Sequence, residues 1–61
     1  MELTEVKSRL NTLVSLKGTK YILRGCTIRR KEDTNELYYQ AELEDIKARS
    51  ILITRIEDVE T

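Results

Sequence analysis

Four cations close together in sequence, Arg24, Arg29, Arg30 and Lys31, are the residues here best suited to a chemical task. Basic groups beside exposed aromatic rings hold the phosphates and bases of single-stranded nucleic acid, and Tyr21 and Tyr38 are the rings within reach. Tyr21 and Tyr39 are better placed for a core, which leaves Tyr38 as the outward-facing candidate. The same surface could receive a protein segment laid on the sheet or along an open strand edge. A second cluster is acidic. Glu42 and Glu44 share one face of a strand, with Asp45 beside them, and carboxylates so placed hold a divalent cation weakly. A solvated acidic edge explains the same residues with less chemistry, so no metal site is assigned.

Covalent and acid–base chemistry is poorly served. The chain has no histidine, so the commonest general base near neutral pH is missing. Its single cysteine, Cys26, lies in an apolar run without a base or helix N-terminus nearby, and reads as a small buried hydrophobe. The two glycines, Gly18 and Gly25, are isolated, so no phosphate-cradling loop is present. A chain of 61 residues has little room for the pocket of ~300 Å³ or more that small-molecule chemistry uses. These features point to a non-enzymatic protein without a cofactor.

Composition narrows the class further. Eleven basic and eleven acidic residues give a net charge of zero, unlike a generic polyanion binder. One cysteine allows no intrachain disulfide, so stability must come from a small core or from self-association. No apolar run approaches the ~18 residues of a membrane span. The first residues lack a basic region followed by an apolar stretch, so a cytoplasmic location is expected.

The elements that must position these residues follow from periodicity. Leu3, Val6, Leu10 and Leu13 recur at helical spacing, predicting a helix over residues 2–16 with Gly18 as its C′ residue. An earlier stop near Asn11, with residues 13–16 as a short strand, is the alternative. Those four apolar residues either pack on the chain's own sheet or form a self-association seam. Residues 19–31 read as a long strand. Its apolar phase slips between Leu23 and Cys26, which predicts a bulge at Arg24–Gly25 that returns Tyr21, Leu23, Cys26 and Ile28 to one face. A polar turn over 31–36 leads to a strand at 36–44, where Leu37, Tyr39, Ala41 and Leu43 alternate with polar neighbours. Ile46 is expected to tuck beneath the next connection. The run Ile51-Leu52-Ile53 predicts a central or strongly covered strand over 50–55, and Ile56 and Val59 predict a closing turn at 56–59 with both side chains inward, a continued strand being the alternative.

Charge is segregated along the chain. Six bases and no acid occupy Lys17–Lys31, and six acids and no base occupy Glu32–Ile46. Adjacent strands of a meander pair, so cross-strand attraction should help set partners and register. The fold expected is a single α+β domain over 1–61, an N-terminal helix packed on a three-stranded antiparallel meander. With its bent first strand it has the makings of an SH3-like or Sm-like small barrel, an architectural analogy only. The function expected is a small accessory or regulatory interaction module that binds a protein partner or itself. An RNA- or single-strand-binding barrel using Arg24, Arg29, Arg30, Lys31 and Tyr38 is the second expectation.

Overall fold

The computed structural model describes all 61 residues. A 3₁₀ turn (Leu3–Glu5) runs into a four-residue helix α1 (Val6–Arg9). Four strands follow: β1 (Leu13–Leu16), β2 (Thr19–Arg30), β3 (Leu37–Asp45) and β4 (Ser50–Arg55). A second 3₁₀ turn, Ile56–Asp58, closes the chain. The strands form one antiparallel sheet in the order β1-β2-β3-β4. The fold thus has one short helix and four strands, not a long helix on three strands.

The predicted helix over 2–16 fails for a local reason. Leu10 leaves the helix with an extended backbone (ψ 134°), and Asn11 follows left-handed at φ 65°, which asparagine tolerates; Thr12 N–H closes this turn on the Arg9 carbonyl at 3.1 Å, so the helix stops near Asn11, the alternative boundary. The Asn11 N–H then donates to the Leu23 carbonyl at 2.7 Å, and Leu23 returns a bond to the Thr12 carbonyl at 3.0 Å. Leu13–Leu16 therefore continue as a strand with Val14 and Leu16 buried. Gly18 is accordingly no helix cap. Lys17 (φ 50°) and Gly18 (φ 82°) form the two-residue loop between Leu16 and Thr19. Two positive φ angles in such a loop match the twist of the flanking strands.

The slip in β2 occurs where its apolar phase requires it. Leu23 pairs with Leu43 and Gly25 with Glu42, so Arg24 is the extra residue. Leu23 and Cys26, opposite Leu43 and Ala41, thereby share the inner face. Gly25 does not adopt positive φ. It is useful here because the Glu42 carboxylate folds over it, and a Cβ built on Gly25 would lie 2.5 Å from Glu42 Oε1.

The core is small. Val14, Leu16, Leu23, Ala41, Leu43 and Val59 form the buried cluster, with Met1, Val6 and Tyr21 packed against it. Ile56 is also buried, so the closing turn aims Ile56 and Val59 inward as predicted. Beyond that turn Ser15 and Glu60 exchange two backbone bonds of 2.8 Å. This one bridge ties the tail to β1, and the sheet itself is not closed.

β1 pairs with β2 only as far as Ile22, and β4 with β3 only from Gln40 onward. Residues 28–30 and 37–39 consequently pair only with each other and project as a two-stranded arm. The molecule measures 37 × 23 × 17 Å with a radius of gyration of 11.7 Å, against about 10.5 Å for a compact chain of this length. It exposes 4669 Å², where a monomer of this mass exposes about 4,100 Å².

Candidate functional site

Of the nine large hydrophobic residues left exposed, Ile51, Leu52 and Ile53 are the three that are consecutive in sequence, and they lie on β4. Asp45 Oδ1 accepts the N–H groups of Lys47 (3.1 Å) and Ala48 (3.2 Å), which turns the chain out of β3. Arg49, at φ 53°, brings it back antiparallel. β4 pairs with β3 on one side and lies outermost in the sheet, so its other row of backbone donors and acceptors has no strand partner. The run predicted to be central is thus an edge, with Ile51 56%, Leu52 40% and Ile53 47% exposed. β3 already supplies the inner face with Ala41 and Leu43, and no element packs over β4.

The two faces of β4 differ. Ile51 lies opposite Glu44, Glu44 opposite Ile22, and Ile22 opposite Leu13, giving one row across all four strands on the outer face. Ile53 lies opposite Glu42 in the next row. Leu52 lies opposite Leu43 on the inner face, where it lines an open groove of about 470 Å³ with Leu16, Tyr21 and Thr54. A second groove of about 360 Å³ lies between Leu13, Lys20 and the β3–β4 connection. Open grooves of this size were not expected from the chain length. Ile46 borders the second one and is exposed, not tucked in.

The four cations do not form one patch. Arg24, the bulge residue, donates from Nε to Glu44 Oε1 at 2.5 Å and from Nη1 to Asn11 Oδ1 at 2.7 Å. Arg29 and Arg30 lie five and six residues further along, roughly 20 Å away at about 3.3 Å per strand residue. They sit opposite Tyr38 and Leu37 at the end of the arm, and Lys31 opens the turn beyond them. Arg30 Nη1 donates to Asn35 Oδ1 at 3.3 Å. The expected matching of basic β2 to acidic β3 reduces to the single ion pair Arg24–Glu44, because arm residues meet apolar and aromatic partners.

The remaining candidates separate as well. Leu3 lies in the first turn, Val6 in α1, Leu10 just after it and Leu13 in β1, so the helical seam has no helix to carry it. Val6 packs on the core. No three histidine, cysteine, aspartate or glutamate side chains converge. Cys26 is half-buried, and burial, followed by the nearby Glu42 carboxylate, raises its thiol pKa above the ordinary value. Such a thiol is a poorer nucleophile at neutral pH.

The β4 edge is the feature that the sequence leaves ambiguous. Three consecutive aliphatic residues signal a strand buried on both faces or an uncovered edge equally well. The flanking charges, Lys47 and Arg49 before the run and Glu57 and Asp58 after it, were the available hint, since charged ends suit an exposed strand. Compared with protein families, curated proteins and solved structures, the chain matches none.

Proposed function

We propose that this chain is a non-enzymatic interaction module, a small accessory or regulatory protein that binds another protein or itself through the open edge of β4. The observation that carries this reading is the exposure of Ile51, Leu52 and Ile53 on an outermost strand. Long apolar edges are ordinarily blunted by charge or covered, and an extended partner segment satisfies both the backbone row and the side chains. The tail's return to Ser15, and the groove that Leu16 and Tyr21 share with Leu52, support the small-barrel analogy, with β4 left at the gap. No helix is long and apolar enough to cross a membrane; a cytoplasmic site of action is part of the proposal.

The test is capture from the native host with the purified chain and with an Ile51→Lys/Ile53→Lys variant. Both positions are exposed, so circular dichroism should show the fold retained. A partner identified with the native chain and lost with the variant supports the edge as the binding surface. The same partners retained by both would sink it.

One observation favours a second reading. Arg29 and Arg30 at the arm's end have no acid opposite them, and Arg29 faces Tyr38. If the arm binds single-stranded nucleic acid, affinity falls steeply with salt and is abolished by Arg29→Glu/Arg30→Glu. Binding indifferent to both removes this reading.

A further inference from the structure

We infer that the segment received by β4 is the β4 of a second copy of this chain, antiparallel, about a two-fold axis near Leu52. The inference rests on the edge reading above and specifies its partner. Three observations converge on it.

The first is charge. Lys47 and Arg49 precede β4, Glu57 and Asp58 follow it, and all four are exposed. When a strand meets its own copy antiparallel, the start of each lies beside the end of the other. The basic end therefore meets the acidic end twice. A parallel arrangement would set like charges together at both ends.

The second is register. A two-fold axis normal to the sheet keeps the copies' faces aligned, and side chains alternate, so odd residues oppose odd and even oppose even. Pairing Leu52 with its own copy sets Ile51 opposite Ile53 twice, a continuous aliphatic row on the outer face. Lys47, in the β3–β4 connection, and Glu57, in the closing turn, lie beyond the ladder and come near each other at both ends of the paired strands. On the inner face the second Leu52 comes beside the first, at the mouth of the groove lined by Leu16 and Tyr21. Arg55 ends β4, but Arg49 at φ 53° lies outside the strand line and so does not oppose Arg55 in the ladder.

The third is area. The chain exposes 4669 Å², several hundred Å² more than expected for its mass, and a standard interface buries about 800 Å² from each partner. Only seven residues are buried, and there is one cysteine and no histidine to staple the fold. Scaffolds this small commonly gain stability by association.

Sedimentation equilibrium of the full chain, from micromolar to millimolar concentration, tests the inference. The mass should rise from 7.2 kDa to twice that value. Lys47→Glu and Glu57→Lys each turn two attractions into repulsions and should each weaken the dimer about tenfold. An equimolar mixture of the two variants restores opposite charges at both ends and should dimerise like the native chain. A native chain that stays monomeric, a dimer indifferent to both substitutions, or a mixture no tighter than its components overturns the inference. A monomer whose Ile51→Lys/Ile53→Lys variant still loses a captured partner removes only the second copy. A dimer that survives that double substitution overturns the edge reading too.

Discussion

Deleting Arg24 from the middle of the longest strand should leave the fold standing. Leu23 opposes Leu43 and Gly25 opposes Glu42, so Arg24 is the one residue of β2 in this stretch without a counterpart on β3. Without it, Leu23, Gly25 and Cys26 alternate regularly against Leu43, Glu42 and Ala41, and the inner face is preserved. The losses are the exposed ion pair to Glu44, worth about 0.2–1 kcal/mol, and the bond to Asn11, worth about 0.5–1.5 kcal/mol. The expected cost is therefore about 1–2 kcal/mol, within the ~3–9 kcal/mol available to a domain this size. Deleting Glu42 is the control. Ala41 and Leu43 would become neighbours facing opposite ways, and turning a fully buried leucine outward costs about 2–5 kcal/mol before the register with β4 is counted. Urea unfolding followed by circular dichroism compares the two deletions. A chain without Arg24 that is unfolded, or as destabilised as the one without Glu42, would refute the assignment of Arg24 as the bulge.

Leu23→Ala should cost about 2–5 kcal/mol and Leu13→Ala under about 0.5 kcal/mol in the same assay, because Leu23 is 0% and Leu13 59% exposed; equal costs would contradict the assigned core. Gly18→Ala should destabilise by about 1 kcal/mol, since φ 82° strains any side chain although nothing lies within 4 Å of the added carbon. Cys26 should alkylate more slowly in the folded than in the urea-unfolded chain at pH 8. Its raised pKa favours the protonated thiol in the fold, a contribution present below the ordinary thiol pKa and lost as pH rises through the raised value; equal alkylation rates would contradict it.

Legibility in the sequence followed how local each signal was. The β2 bulge could be read because Tyr21, Leu23, Cys26 and Ile28 fall out of phase by one residue, and only an inserted position restores the period. Ala41 and Leu43 were readable from clean alternation. Leu3, Val6, Leu10 and Leu13 fit a helical stripe in sequence, whereas the turn at Leu10–Asn11 is held by the bond from Asn11 to Leu23, twelve residues away. The Lys17–Gly18 loop lies beyond the end of that stripe, where glycine serves a helix end and a hairpin equally well. The cationic cluster looked compact because four residues within eight positions were counted along the chain, whereas an extended strand spreads them over roughly 20 Å. Nothing local distinguishes a strand covered on both faces from one covered on neither, and β4 is such a strand.

Residue-resolved amide hydrogen exchange over Ser50–Arg55, in dilute and in concentrated solution, reaches the central claim most directly. In dilute solution alternate β4 amides should exchange freely, because only one side of the strand is bonded. At high concentration the same amides should become protected while those of residues 28–30 stay unchanged. Full protection at every dilution would show that the chain covers this edge itself, and exchange indifferent to concentration would show that no second copy sits on it.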